Sequence, residues 1–179
     1  MIRDAGPADA AMLAGLGRRT FVEAFAAVNT PEDMSAYCDA AFTTAHLAAE
    51  LADRAARFLV AESSGEAVGY AKLYEGEAPK VVAGPGPIEL ARLYVVDAAI
   101  GRRVGSGLMR ACLSRAVAGG FETMWLGVWE HNARALAFYR RFGFREVGSH
   151  PFRLGEDVQT DLLVELSPLE GQDRGPTAE

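Results

Sequence analysis

The stretch Ile88-Glu-Leu-Ala-Arg-Leu-Tyr-Val-Val96, followed by Gly101-Arg-Arg-Val-Gly-Ser-Gly107 and then by Leu108, Met109, Cys112, Leu113, Ala116 and Val117, decides the fold. It reads as a strand, a glycine-rich loop and a helix whose apolar face stops at Gly119-Gly120. Met124-Trp-Leu-Gly-Val128 is the returning strand, parallel to the first because a helical crossover joins them. A glycine-rich loop at a helix N-terminus presents unpaired backbone N–H groups at the positive end of the helix dipole, which suits a phosphate or pyrophosphate. A P-loop is absent, and the dinucleotide fingerprint fails because Arg110 stands at its last position. A plain tight turn is the alternative reading, and Arg102 and Arg103 weigh against it by placing positive charge where a polyphosphate would sit.

Working outward, Leu13, Leu16, Phe21, Phe25 and Val28 fall at mostly helical intervals, so residues 9–29 read as a helix pair or one bent helix. After a turn at Asn29-Thr-Pro31, Thr30 is an N-cap with Pro31 at the first helical position, opening a helix towards Phe42. Thr43 or Thr44 caps a third helix running to about Ala56. Phe58–Ala61 and Ala67–Tyr74 form a hairpin across Ser63-Ser-Gly-Glu66, and a Gly/Pro-rich loop spans residues 75–87. Regular pairing of the next strand puts Glu89 and Arg92 on opposite faces. A second amphipathic helix runs from Asn132 through Ala135, Leu136, Phe138 and Tyr139 to Phe142-Gly143. Residues 144–153 and 158–166 are two further strands closing an antiparallel flank. From Ser167 to Glu179 the composition predicts a disordered tail.

The 179 residues are of single-domain size, half are hydrophobic and 23% are charged, so a packed core is expected rather than disorder. Eighteen Lys and Arg against 24 Asp and Glu give a net charge of −6, which disfavours nucleic acid and anionic membrane as partners. No apolar run approaches the roughly 18 residues of a membrane span, and no signal-peptide core is legible, so a cytoplasmic location is expected. Cys38 and Cys112 fit no metal-ligand spacing and read as reduced thiols, and no metal is implied.

The ordered series Arg92-Leu-Tyr-Val95, Gly101 to Ser106 with Leu108-Met109, and Asn132-x-x-Ala-x-x-Phe-Tyr139-x-x-x-Gly-Phe144 resembles the acetyl-CoA-binding core of the GNAT N-acetyltransferases. Phe21-Val-Glu-Ala-Phe25, Leu126-Gly-Val-Trp-Glu-His-Asn132 and His150-Pro-Phe-Arg-Leu-Gly155 with Gln159-Thr-Asp161 also resemble the PaiA-like spermidine/spermine N-acetyltransferase group. The resemblance implies an α/β GNAT fold: a mixed, mostly antiparallel, splayed central sheet flanked by helices in a single domain. It places the domain at residues 1–166, with a helical acceptor-side segment over 1–56 and the acetyl-CoA-binding core over 57–166. The family's Q/R-x-x-G-x-G/A falls on Ile100 to Gly105, so Arg103 stands in place of a glycine. The register Arg102-x-x-Gly105-x-Gly107 restores the letters but shifts the loop by two residues against the strand.

Acetyl transfer from a thioester to an amine needs a neutral amine, a stabilised oxyanion and a proton for the departing thiolate. By the resemblance, Tyr139 is the general acid and Asn132 contacts the cofactor. Leu93, Tyr94 and Val95 bind the pantetheine arm and thioester oxygen through their main chains. Gly101, Arg102, Arg103, Val104, Gly105 and Ser106 cradle the pyrophosphate. Glu89, six residues before Val95, stands where some family members carry a catalytic glutamate, and a salt-bridged strand carboxylate is the competing reading. Glu130 and His131 are the next candidates for the base, while His46 and His150 receive no role. The expected activity is acetylation of a small primary amine, a polyamine first. The rivals are an amino acid, an aminoglycoside-like amine or a protein N-terminus as acceptor, and a regulatory acetyl-CoA binder without turnover. The resemblance also makes a homodimer an expected partner.

Overall fold

The apolar and polar alternation of the central chain folds into strands that share one sheet, with helices laid on both faces. The structure, a computed structural model, describes residues 1–169. Its elements are β1 (Ile2–Asp4), α1 (Ala10–Phe25), α2 (Pro31–Ala41), α3 (Thr44–Ala52), β2 (Ala56–Ser63), β3 (Glu66–Tyr74) and β4 (Pro87–Val95). Then come α4 (Val104–Ala118), β5 (Thr123–Trp129), α5 (Ala133–Arg141), β6 (Arg145–Leu154) and β7 (Asp157–Leu166). The sheet order is β1-β2-β3-β4-β5-β7-β6, antiparallel throughout except for the parallel β4–β5 pair. This is the mixed, mostly antiparallel sheet expected from the sequence.

Local chemistry accounts for most boundaries. Thr30 and Thr43 cap α2 and α3 by accepting the N–H groups of Asp33 and His46, and Pro31 occupies the first turn of α2. The third helix stops at Ala52, four residues short of its expected end, because the chain is already extended at Asp53 and pairs as β2 from Ala56. Ser64 and Gly65 both take positive φ, as a tight β-hairpin turn with the right twist requires.

Three expectations are corrected. The first third is not wholly helical: Ile2–Asp4 is an edge strand on β2, too short for alternation to be read, and Arg3 holds it by bridging Asp9 and Glu62. The tail does not begin at Ser167. Leu169 is 2% exposed and donates its N–H to Glu122, and Ser167 Oγ lies 2.9 Å from Thr123 Oγ1. The rest of the expected tail, residues 170–179, lies outside the described residues. Finally, β4 is not regular: Leu73 pairs with Leu90 but Lys72 with Arg92, leaving Ala91 as a bulge. The extra residue resets the alternation, so Glu89 and Arg92, opposite Tyr74 and Lys72, share one face.

The sheet divides the core in two. On one face Leu59, Leu73, Leu90, Leu126 and Val164 pack against Leu108, Met109 and Cys112 of α4 and Leu136 and Tyr139 of α5. On the other, Phe58, Val60 and Tyr70 pack against Leu13 and Phe21 of α1, Met34 and Cys38 of α2 and Leu47 of α3. Leu108 is fully buried where α4 crosses β2, β3 and β4. Truncating it leaves a void that a close-packed interior refills only in part. Leu108→Ala is therefore expected to lose about 3–5 kcal/mol of unfolding free energy, read by chemical denaturation.

Candidate active site

Strand β4 runs beside β5 only at Pro87, Ile88 and Glu89, opposite Thr123, Met124 and Trp125. Beyond Glu89 the two strands part, so the edge of β4 from Leu90 to Val95 has no strand on that side. Backbone donors and acceptors left without a ladder inside a protein need another partner. The gap opens into a cavity of about 670 Å³ bounded by β4, β5, the loop before α4, α5 and the N-terminal helices.

The glycine loop closes one end. Asp97–Ala99 form a single 3-10 turn, Gly101 takes φ +81°, and Arg103 takes φ +63°, ψ +9° just before α4. Arg103 is thus a non-glycine residue in the left-handed region, where an L side chain crowds its own backbone. The first helical hydrogen bond of α4 runs from Gly107 N–H to Arg103 C=O, so the N–H groups of Val104, Gly105 and Ser106 precede the ladder. All three residues, with Gly101 and Arg103, line the cavity. A Cβ on Gly105 would approach nothing closer than 3.8 Å, so the space before these donors is open. Arg134 and Arg141 of α5 line the same cavity, making it locally basic in a chain of net charge −6.

Tyr139 of α5 lines the cavity, and its hydroxyl has no hydrogen-bond partner among the described residues. Burial holds its phenol well above the ordinary tyrosine range, so it stays protonated at neutral pH. Asn132 caps α5, its Oδ1 accepting the N–H of Ala135 at 3.1 Å, and it also lines the cavity.

The other end is walled by aromatic rings from the N-terminal helices and the last strands. Phe21 stacks on Tyr37 at 4.5 Å and lies 4.7 Å from Phe25, which meets Trp129 edge-on at 6.3 Å, while Phe152 meets Tyr37 at 5.7 Å. Arg92 lines this end and shares one carboxylate with a second cation: its Nη1 lies 2.6 Å from Glu50 Oε2, and Lys72 Nζ lies 2.6 Å from Glu50 Oε1. Burial alone would raise the Glu50 carboxyl, but the hydrogen bonds from Lys72 and Arg92 hold it below its ordinary value. Glu89 and Asp161 behave oppositely. Burial pushes both carboxyls up, and nearby cations offset this only in part: Lys72, His150 and Arg92 for Glu89, His150 for Asp161.

With this geometry in place, comparison with known proteins places the chain. The sequence profile of the Acetyltransferase (GNAT) family matches residues 20–144. The chain belongs to the GNAT acetyltransferase family. The chain is 34% identical over 156 residues to an uncharacterized N-acetyltransferase of Mycobacterium bovis, covering 87% of this chain and 96% of that one. It is 32% identical over 149 residues to another from Lactobacillus delbrueckii subsp. lactis, covering 83% and 86%. The PaiA N-acetyltransferase of Thermoplasma acidophilum, solved in complex with coenzyme A, has the same fold, with a TM-score of 0.76 at 18% identity over 93% of this chain and 98% of that one.

In this GNAT N-acetyltransferase the cavity brings together Leu93, Tyr94, Val95, Gly101, Arg103, Val104, Gly105, Ser106, Asn132 and Tyr139 of the residues expected from the sequence. Two stand apart. Arg102 faces a smaller cleft beside Met1, Ile2 and Glu62, and Glu89 lies on the same face of the sheet as Arg92 but outside the cavity lining. Glu130 and His131 are 3.9 Å from one another and also outside the lining. Among the described residues no group of three His, Cys, Asp or Glu side chains is placed to hold a metal, and no helix is long and apolar enough to cross a membrane. Sequence reasoning missed Arg134, Arg141, Trp129 and Asp161 as lining residues. For Asp161 no local signal existed, because Leu163 and Val164 are both buried and the alternation of β7 does not single out a face.

The left-handed Arg103 carries its own test. Arg103→Gly removes the side-chain crowding and is expected to leave the domain equally stable or to stabilise it by up to about 1 kcal/mol. Denaturant unfolding checks this, and a loss of stability would mean that the arginine side chain holds the loop.

Proposed function

We propose that this enzyme transfers the acetyl group of acetyl-CoA to the primary amine of a small molecule by direct attack on the thioester. The observation that carries the reading is that one cavity joins free helix N-terminal donors, the unpaired edge of β4 and the Tyr139 hydroxyl. Acetyl-CoA fits this donor set. The N–H groups of Val104 to Ser106, the dipole of α4 and the Arg103 guanidinium suit its pyrophosphate. The backbone of Leu93 to Val95 suits the amide-rich pantetheine arm, which would add to β4 as a strand does. A main-chain N–H there aimed at the developing oxyanion is worth about 3 kcal/mol of barrier.

The chemistry assigned to the chain's own groups is proton management. The amine lone pair attacks the carbonyl carbon, and the C–S bond breaks as the tetrahedral intermediate collapses. Tyr139 supplies a proton to the leaving sulfur and recovers one from the nitrogen. The ammonium of the incoming acceptor must first lose a proton, which goes to a base on the acceptor face. Glu89 does not itself reach the cavity and acts on this proton only through an intervening group.

Spermidine and spermine are the acceptors the sequence resemblance suggests. A polyamine needs several carboxylates along its path, yet three acids of the N-terminal helices are engaged elsewhere. Glu23 accepts from Arg19 and from the Asp97 N–H, Asp33 from Thr30 and the Glu156 N–H, and Asp39 pairs with Arg18. The aromatic walls favour an amine with an apolar body.

Thiol release from acetyl-CoA, measured against spermidine, spermine, phenethylamine, amino acids and a peptide with a free N-terminus, tests the reading. Saturable release with an acetylated product of the right mass is expected, whereas tight acetyl-CoA binding without release for any acceptor would favour a regulatory binder. Tyr139→Phe is expected to lower kcat by about 100-fold or more with little change in acetyl-CoA affinity. Unchanged turnover would remove the tyrosine from the mechanism. Glu89→Gln is expected to flatten the acid limb of the kcat/KM profile. The base form accumulates as pH rises through the carboxyl's raised pKa, so the wild-type limb lies above the usual carboxylate range.

A further inference from the structure

His150 reaches inward from the edge strand β6, across β7, to lie over Gly127 of β5. A Cβ built on Gly127 would stand 3.1 Å from His150 Nε2 and 3.3 Å from Asp161 Oδ2, so the glycine makes the room in which the two meet. Nε2 and Oδ2 are 4.0 Å apart, a gap that a small side-chain rotation or one water closes. The Asp161 side chain is 15% exposed, lines the cavity and accepts no hydrogen bond from any described residue. The imidazole is 42% exposed and lies outside the lining, so it stands between the carboxylate and solvent on that same face of the sheet.

From this juxtaposition, and resting on the acetyl-transfer reading above, we infer that Asp161 binds the acceptor's ammonium and takes its proton, with His150 as the exit to solvent. The acceptor class is a monoamine with an apolar body. In the step itself an ammonium N–H bond breaks as an O–H bond forms on Asp161, and the freed lone pair attacks the thioester. The proton then passes from Asp161 to His150 Nε2 and on to water, so one proton leaves per acetyl group transferred. The aromatic walls of Phe21, Phe25, Tyr37, Trp129 and Phe152 take the apolar body. Arg92 stands among them, so a second ammonium would enter beside a guanidinium whose counter-charge, Glu50, is already shared with Lys72.

The charged and titratable groups around the pair are few. His150 comes from β6, Tyr37 from α2, and Glu89 from β4 with Arg92 and Lys72 behind it. His150 therefore stands beside two carboxyl groups, Asp161 and Glu89. Glu89 acts through His150 in this arrangement and is a positioning residue. Asp161 is the group that touches the substrate.

The test is amine binding and turnover by the full-length protein, wild type and variants, with phenethylamine and spermidine as probes. Calorimetry in the presence of coenzyme A reads amine binding without turnover. Wild type is expected to bind phenethylamine more tightly than spermidine. Asp161→Asn should weaken phenethylamine binding about tenfold or more and lower kcat/KM about 100-fold while coenzyme A affinity, the control for folding, is unchanged. Asp161→Glu should restore part of both. His150→Gln should leave the amine KM within about twofold but lower kcat and shift the acid limb of its pH profile. Gly127→Ala, whose Cβ would crowd both His150 Nε2 and Asp161 Oδ2, should lower kcat and weaken amine binding together. Amine binding and kcat/KM within twofold of wild type in Asp161→Asn would overturn the inference, as would a wild-type protein that binds neither amine or prefers spermidine. Asp161-dependent binding of phenethylamine without thiol release would support the binding site and instead refute the proposed acetyl transfer.

Discussion

The parting of β4 from β5 after three paired residues is the constraint on which the rest of the structure depends. A sheet interior normally satisfies its backbone groups along the whole ladder, and an interruption leaves donors and acceptors that must find other partners. Here the interruption is held open from both sides. The α4 crossover packs Leu108 and Met109 under β4, and the antiparallel β5–β7 pair continues from Met124 to Trp129 regardless of its lost neighbour. The cavity is thus a property of the sheet's topology, and the residues that line it are carried on rigid elements.

Its electrostatics run opposite to those of the chain as a whole. A protein of net charge −6 gathers Arg103, Arg134, Arg141 and the N-terminus of α4 at one end of the cavity. At the other end Arg92 shares the Glu50 carboxylate with Lys72, and the Asp161 carboxyl is raised by burial. Tyr139 lines the same cavity with a phenol that burial keeps protonated. The arrangement also explains why Arg103 is tolerated with positive φ: the backbone conformation that exposes the helix donors is retained although the residue is not glycine.

Several elements were legible because their cause is local. The threonine caps of α2 and α3, the Ser64-Gly65 hairpin turn and the apolar face of α4 are written within a few residues of one another, and the structure places them where the sequence puts them. The misreadings have non-local causes. Edge strand β1 is three residues long and exists because β2 accepts it and Arg3 ties it to Asp9 and Glu62. The bulge at Ala91 has no marker in Leu90-Ala-Arg92, since it arises from the register that β3 imposes. Leu169 looked like part of a polar tail, yet the loop at Glu122 receives its backbone.

By itself the sequence determined the strand, loop and helix that make the basic end of the cavity, and the order of the motifs that mark the family, because short-range geometry and periodicity carry that information. It also placed Tyr139 and Asn132 on one short helix. Only the tertiary structure decided which polar groups meet at the aromatic end. The bulge turned Glu89 to the face of Arg92 without bringing it to the cavity, and the pairing of β6 with β7 delivered His150 over Gly127 beside Asp161. Those meetings depend on strand register across residues far apart in the chain, and register is set by the packing of whole faces rather than by any neighbouring residue.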